Sequence, residues 1–406
     1  MTTAATDHPL AGTADPPGQQ LLTGRDVLCF SHDWTGDPLS KTHLMRLLAR
    51  DNRVLWVNSI GYRTPGLNKA DVGRLWKKLK AAREPLREVE RNLFVLNPLA
   101  VPAYGLRAAR GFNRWWLRRQ VRAAMRALGF ARPINWVFNP AAAVLAGRLG
   151  EETLIYQCVD EYSAFSGVVA QAILDLEADL LRKADLVVVS ADKLYETKSR
   201  YNPRTVVVRH GVDFHHFRKA LDPATVVPPE VASLPRPVIG FFGLIADWVD
   251  VELMAEVAKR YPSGSLVVLG KATTDVSALK ALPNVHLLGR KPYDQLPAYC
   301  KGFDVALNPF RINELTLSAN PLKVREYLAA GLPVVSTDIP EVAVLGTCRV
   351  ADTREEFLRQ VDEALKAPGP RAEISETVRA EGWDARLREI ERHLAAALAA
   401  KKGAPA

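Results

Sequence analysis

Cysteine is scarce in this 406-residue chain: Cys29, Cys158, Cys300 and Cys348 stand far apart, with no CxxC pair among them. That spacing excludes a ribbon-type zinc site and a disulfide framework, and it fits a reducing cytosol. Long apolar runs are missing too. No stretch reaches the roughly eighteen residues that a membrane-spanning helix needs. The opening stretch through Gln20 is rich in Thr, Ala, Pro and Gly but has no apolar segment, so it reads as a disordered tail and not as a secretion signal. GxGxxG and GxxxxGK(S/T) are both absent where a first strand ends, which disfavours a dinucleotide fingerprint and P-loop hydrolysis. No His/Cys/Asp cluster has ligand spacing, so no metal site is expected.

What is present is an ordinary globular composition, 48% hydrophobic and 24% charged, in a chain longer than one core usually serves. "RDVLCFS" (25–31), "LSKTHLMRLLAR" (39–50) and "NRVLWVNS" (52–59) read as strand, helix and strand, a βαβ unit. A basic helical insertion is expected at 69–91, and strands and helices then alternate through "RTVVVRHG" (204–211). A second series runs from "VIGFFG" (238–243) to "TCRVA" (347–351). Strands apolar throughout and separated by helices indicate parallel sheets covered on both faces. The expected α/β architecture is two Rossmann-like domains facing across a cleft. The spans are a tail at 1–22, a first domain at 23–213, a proline-bearing connection at 214–236, a second domain at 237–374 and a C-terminal segment at 375–406. That last segment holds one long helix, 375–399, whose Trp383 gives it something large to bury.

The net charge of +9 and the pI of about 9.4 are unevenly spread. Between residues 105 and 130, Arg107, Arg110, Arg114, Arg118, Arg122 and Arg126 recur at helical steps with no acid between them. Trp116, Leu117, Val121, Ala124 and Leu128 fall on the opposite face. Such a helix suits an anionic membrane surface, with Trp115 and Trp116 near the headgroups. It equally suits a helix packed on a core with its arginines in water.

Open parallel sheets bind ligands beyond the carboxyl ends of their strands. In the second domain Gly243 ends the first strand, and a helix is expected to start near Asp247 to Asp250. A stronger signal is "SANPLKVREYLAAGLPVVST" (318–337). Asn320 suits an N-cap and Pro321 the first helical turn. The amides and dipole there, with Leu322 and Lys323 in the opening turn, suit a diphosphate. Glu326, a turn further on, suits the paired hydroxyls of a ribose. A solvated surface helix is the alternative reading of Lys323 and Glu326.

Segments 204–217 and 238–337 resemble the second half of the retaining nucleotide-sugar glycosyltransferases of the GT-B fold. "RHGVDFHHF" is similar to that family's P-N-G-V-D turn, and "NPLKVREYLAAGLPVVST" to its helix E-A-(M/L)-A-x-G-x-P-V-V. The style is that of bacterial enzymes of teichuronic acid and exopolysaccharide synthesis. The resemblance implies a hexosyltransferase without metal or cofactor. Its donor is a UDP- or GDP-linked sugar and its acceptor a glycan or lipid-linked chain; nucleic acid is not a partner. It implies a cytoplasmic enzyme, at or near the inner face of the membrane, with Glu326 on the ribose and a C-terminal helix that crosses back between domains. It also makes Asp160 and Glu161 candidates for orienting the acceptor hydroxyl, with His32, Asp33, Trp34 and Gly36 completing that wall. The chain departs from the family at Ser318, where an earlier Glu is usual, with Glu314 further upstream. The Arg and Lys usual after the domain's first strand are also missing. Diphosphate charge then falls to Lys323, Lys271 and Arg290. Two rivals are a nucleotide-sugar epimerase on the same fold and a non-enzymatic basic membrane-binding protein.

Overall fold

The computed structural model describes residues 22–34, 38–60, 85–101 and 107–403. The expected tail (save Leu22), Gly36 and most of the 69–91 insertion lie outside them. Two sheets organise the rest.

The first sheet has eight strands in the order β3-β4-β2-β1-β5-β6-β7-β8. They are β1 (Asp26–Phe30), β2 (Arg53–Val57), β3 (Leu86–Glu90), β4 (Leu93–Leu96), β5 (Ile134–Val137), β6 (Thr153–Cys158), β7 (Leu186–Val189) and β8 (Thr205–Val207). All pair in parallel except β3, which runs antiparallel along β4 at the edge. The second sheet has six strands in the order β11-β10-β9-β12-β13-β14. These are β9 (Val238–Phe242), β10 (Ser265–Leu269), β11 (Val285–Gly289), β12 (Val305–Asn308), β13 (Val334–Thr337) and β14 (Arg349–Ala351), all parallel. Strand order reverses between β1 and β5 in one sheet and between β9 and β12 in the other, and such switch points open a crevice at the carboxyl edge.

The longer helices are α1 (Ser40–Leu48), α2 (Arg107–Leu128), α3 (Ala170–Lys183), α4 (Asp192–Lys198), α5 (Val251–Arg260), α6 (Leu322–Ala329), α7 (Arg354–Leu365) and α8 (Trp383–Gly403). The central strands are apolar on both faces because helices cover both. In β6 and β10, for example, every residue is buried.

Three expectations are corrected here. Residues 86–90 of the expected basic helix form β3, since alternating "LREVE" suits a half-exposed edge strand. The connection at 214–236 is no loose linker: Phe214, Phe217, Ala220 and Val231 are buried in the second core. The last helix is broken into Ala372–Glu376, a turn at Arg379–Glu381, and α8. The break falls at Gly382, where a Cβ would stand 2.5 Å from Asp384 Oδ1. Val378 belongs to the second core, while Trp383, Leu387, Ile390 and Leu394 belong to the first. The chain therefore crosses back between 378 and 383, as expected.

Candidate active site

At the carboxyl edge of the second sheet, β9 and β10 are followed at once by Gly243 and Gly270, which have φ of +149° and +147°. The two turns lie back to back, so that a Cβ on Gly270 would stand 1.8 Å from the Gly243 carbonyl oxygen. Only glycine allows this approach. The result is a hollow of about 340 Å³, lined by Gly243, Gly270, Lys271, Arg290, Lys291, Tyr293 and Lys323, and by Pro38 and Leu39 from the first domain. It adjoins a larger interdomain groove of about 1140 Å³ that runs past His43, Arg46, Asp213 and Trp383.

Helix α6 begins beside Gly243. Its N-cap is Pro321, and no side chain caps its first turn, so the opening amides keep their capacity for an anion. Lys323 bends over the Phe242 ring, with Nζ 5.1 Å from its centroid, and lies 2.8 Å from Glu326 Oε2. Glu326 is 1% exposed. Burial raises its carboxyl above the usual carboxylate range; Lys323 opposes the shift and Asp213 adds to it. Lys323 is the partner of Oε2, whereas the neighbouring Tyr293 hydroxyl and His43 Nε2 have no hydrogen-bond partner. Buried polar atoms without partners are rare in folded proteins and mark places where a ligand fits. Glu326 is thus no solvated surface residue.

The first domain supplies the facing wall. His32 follows β1, accepts or donates a contact of 3.1 Å with Ser31 Oγ, and packs edge-on against Trp56. Burial, then Lys41, pushes its pKa down to about 3, so the imidazole is neutral, and its Nε2 has no partner. Asp160 follows β6. Burial lifts its carboxyl to about 6, against the pull of Lys41 and with a further push from Glu161. Lys41, in the first turn of α1, is itself lowered by burial and restored in part by Asp160. His32, Lys41 and Asp160 therefore form one electrostatic group at the switch point of the first sheet. Lys41 was not singled out from the sequence. Its signal was a lysine at the start of a helix, where the dipole disfavours a cation.

Several expected site residues prove to be committed elsewhere. Glu161 is buried and accepts from Lys198 Nζ at 2.7 Å and from Ser163 Oγ at 2.6 Å. Lys198 also reaches Glu177 at 2.8 Å, which in turn accepts from the Tyr156 hydroxyl at 2.5 Å. In this closed cluster Lys198 neutralises Glu161, and each of its oxygens already accepts a hydrogen bond. Asn320 does not cap α6. Its amide donates to the Ser190 carbonyl at 2.8 Å and to Glu341 at 2.9 Å, and its oxygen accepts from Arg325. With Arg209 on Glu341 at 2.8 Å, Asn320 ties the two domains together. Asp247 accepts a hydrogen bond from Ser166 of the first domain, and Phe165 meets Trp248 edge-on at 6.3 Å beside it. The following helix starts at Val251 with Asp250 as its cap, so Asp247 offers no amide-rich start to a phosphate. Leu322 packs against the first domain's core and acts as interdomain contact. Asp33 accepts from the Ser59 amide at 3.0 Å, and Trp34 lies edge-on to Trp56 at 5.1 Å with Arg46 over its ring. Ser318 is buried as the C-cap of the short helix Glu314–Leu317, while Glu314 is exposed in its first turn. Arg114, Arg118 and Arg122 lie on α2, away from this hollow.

Comparison with known proteins agrees with this geometry. Residues 236–367, the second domain, match the family described as "Glycosyl transferases group 1". The chain is 28% identical over 229 residues to TuaH of Bacillus subtilis (strain 168), named as a glycosyltransferase of teichuronic acid biosynthesis. That match spans about half of each chain, 51% of this one and 56% of the other. Among solved structures it resembles sucrose-phosphate synthase of Thermosynechococcus elongatus, with TM-score 0.67 and 13% identity over 93% of this chain and 100% of that one. It also resembles Anabaena HepE in complex with UDP, with TM-score 0.61 and 14% identity over 91% and 100%. The protein thus has the GT-B fold, and residues 236–367 within it match the group 1 glycosyltransferases.

Proposed function

We propose that the protein is a retaining glycosyltransferase. It moves a sugar from a UDP- or GDP-linked donor to a glycan or lipid-linked acceptor, in the cytoplasm, during cell-surface polysaccharide synthesis. The observation that carries this reading is the buried Glu326 carboxylate, held by Lys323 at 2.8 Å beside a glycine-lined hollow, with the Tyr293 hydroxyl and His43 Nε2 unpartnered nearby. Glu326 takes the ribose hydroxyls. The first amides of α6, with Lys323, Lys271 and Arg290, take the diphosphate. The named complex of HepE with UDP supports the donor class, and the named role of TuaH supports the polysaccharide setting.

The bond from the anomeric carbon to the diphosphate oxygen breaks, and the acceptor oxygen bonds to that carbon on the same face. The acceptor hydroxyl proton passes to the departing phosphate. Ionised Asp160, held by Lys41, accepts a hydrogen bond from that hydroxyl and aims it, while neutral His32 packs the wall beside it. The protein contributes positioning and charge stabilisation, with no cofactor or metal.

A thermal-shift series with UDP, GDP and ADP and their glucose conjugates tests the donor assignment. A bound ligand at about 100 times its dissociation constant adds roughly 2.7 kcal/mol of stability, and a rise of several degrees is expected for one base. No rise with any nucleotide diphosphate would sink the reading. Incubating the bound donor without acceptor tests the epimerase alternative, which an epimerised sugar would favour.

A further inference from the structure

The arginine helix carries a feature that sugar transfer does not use. Helix α2 buries Asn113, Leu117, Val121, Ala124 and Met125 in the first domain, so it is a fixed part of the fold. Its outer face nevertheless shows Phe112 at 48% and Trp115 at 60% exposure. The two rings lie 6.0 Å apart, and half-buried Trp116 lies 5.7 Å from Trp115. Among the described residues no other pair of exposed large aromatic side chains is in contact. Asn113 extends the patch by clamping Val101, whose N–H donates to Oδ1 at 2.8 Å and whose carbonyl accepts from Nδ2 at 2.7 Å. Val101 is itself 41% exposed.

Charge surrounds these apolar groups. No Asp or Glu occurs from 105 to 130, and Arg114, Arg119 and Arg126 are exposed. Behind the helix lies a hollow of about 650 Å³, lined by four cations (Arg110, Arg114, Arg148 and Lys183) and two acids (Asp175 and Asp179). Asp179 is neutralised by Lys183 at 2.6 Å, which leaves the hollow net positive.

The helix is also placed to meet a surface. Its C-terminal end is held at the amino edge of the sheet, where Arg53, the first residue of β2, donates to the Leu128 carbonyl at 2.8 Å. The 22 residues of α2 span about 33 Å, whereas the neighbouring strands β4 and β5, four residues each, span about 13 Å. Phe112 and Trp115 stand about 20–24 Å along the helix from Leu128, so the aromatic patch overhangs the carboxyl edge by roughly 7–11 Å, on the cleft side of the domain.

We propose that this overhang is a docking surface for an anionic lipid bilayer. Phe112, Trp115 and Val101 enter the headgroup boundary, and Arg114 and Arg119 pair with lipid phosphates. Aromatic rings prefer that boundary and arginines favour anionic leaflets. The inference stands apart from the donor assignment, because binding to vesicles needs no nucleotide.

The test is co-sedimentation of the full chain with two kinds of vesicle: equal parts phosphatidylglycerol and phosphatidylcholine, or phosphatidylcholine alone. Binding is expected only with phosphatidylglycerol and is expected to fall with added salt. The double variant R114Q/R119Q should bind about 30-fold more weakly. F112A/W115A should lose binding while retaining any nucleotide-induced thermal shift of the wild type and the wild-type circular dichroism. Equal binding by wild type and variants overturns the proposal, as does binding to neither vesicle. So does binding to soluble polyphosphate without binding to vesicles, which would assign the patch to a free polyanion.

Discussion

The two sheets share one strand order around their switch points, yet their carboxyl edges are built for opposite tasks. The edge of the second sheet is stripped of side chains at Gly243 and Gly270 and ringed by Lys271, Arg290 and Lys323. The edge of the first is filled: His32 is packed on Trp56, and Asp160 is held against Lys41. One edge makes room for an anion, and the other fixes a carboxylate where charge is costly. The same topology therefore does not decide chemistry; the residues after each strand do.

The largest effect that tests this contrast is structural. Glu161 and Asp160 are adjacent, but only Glu161 is tied into the buried Lys198–Glu177 cluster. Lys198→Ala leaves two buried carboxylates unpaired and should cost about 3–5 kcal/mol of stability, read from denaturant unfolding. A loss below 1 kcal/mol would return Glu161 to the list of free acids. Next comes Asp160→Asn, expected to lower kcat about 10²-fold while leaving donor affinity unchanged.

The pH dependence of Asp160 has two signs. As the ionised group that aims the acceptor, it should make kcat/KM rise with pH through about 6, and the Asn variant should lack that limb. In stability the raised folded pKa works the other way. Its contribution is full below the unfolded value near 3.8 and is lost as pH rises through about 6. A flat rate profile in the wild type would remove Asp160 from the acceptor site.

Glu326→Ala should weaken donor binding by about 1.5–3 kcal/mol, the worth of hydrogen bonds to a charged acceptor, with the fold intact. Unchanged affinity by calorimetry would detach the ribose from this residue. The smallest effect expected is none at all: transfer should continue in excess chelator. Among the described residues no three His, Cys, Asp or Glu side chains stand together as a metal site. Activity lost in chelator and restored by magnesium or manganese would overturn that expectation.

Much of this was legible in the residues. Apolar runs such as "LVVV" and "SLVVL" are buried strands, and helical steps at 107–128 give α2 with its buried Leu117, Val121 and Ala124. Gly243, Lys271, Arg290 and Lys323 line one hollow, with Glu326 paired to Lys323, because a helix following a parallel strand must return from the carboxyl edge. What failed was the assignment of polar side chains whose partners are distant. Lys198 is 37 residues from Glu161, and Ser190 is 130 from Asn320. Local periodicity is dictated by backbone geometry and side-chain burial within a few residues, so the sequence by itself determined the elements, their parallel order and the anion-ready start of α6. Whether a given carboxylate or amide faces substrate depends on which charge packs against it from another element. Only the tertiary structure decided that Glu161 is spent, that Asn320 joins the domains, and that Lys41 stands beside Asp160.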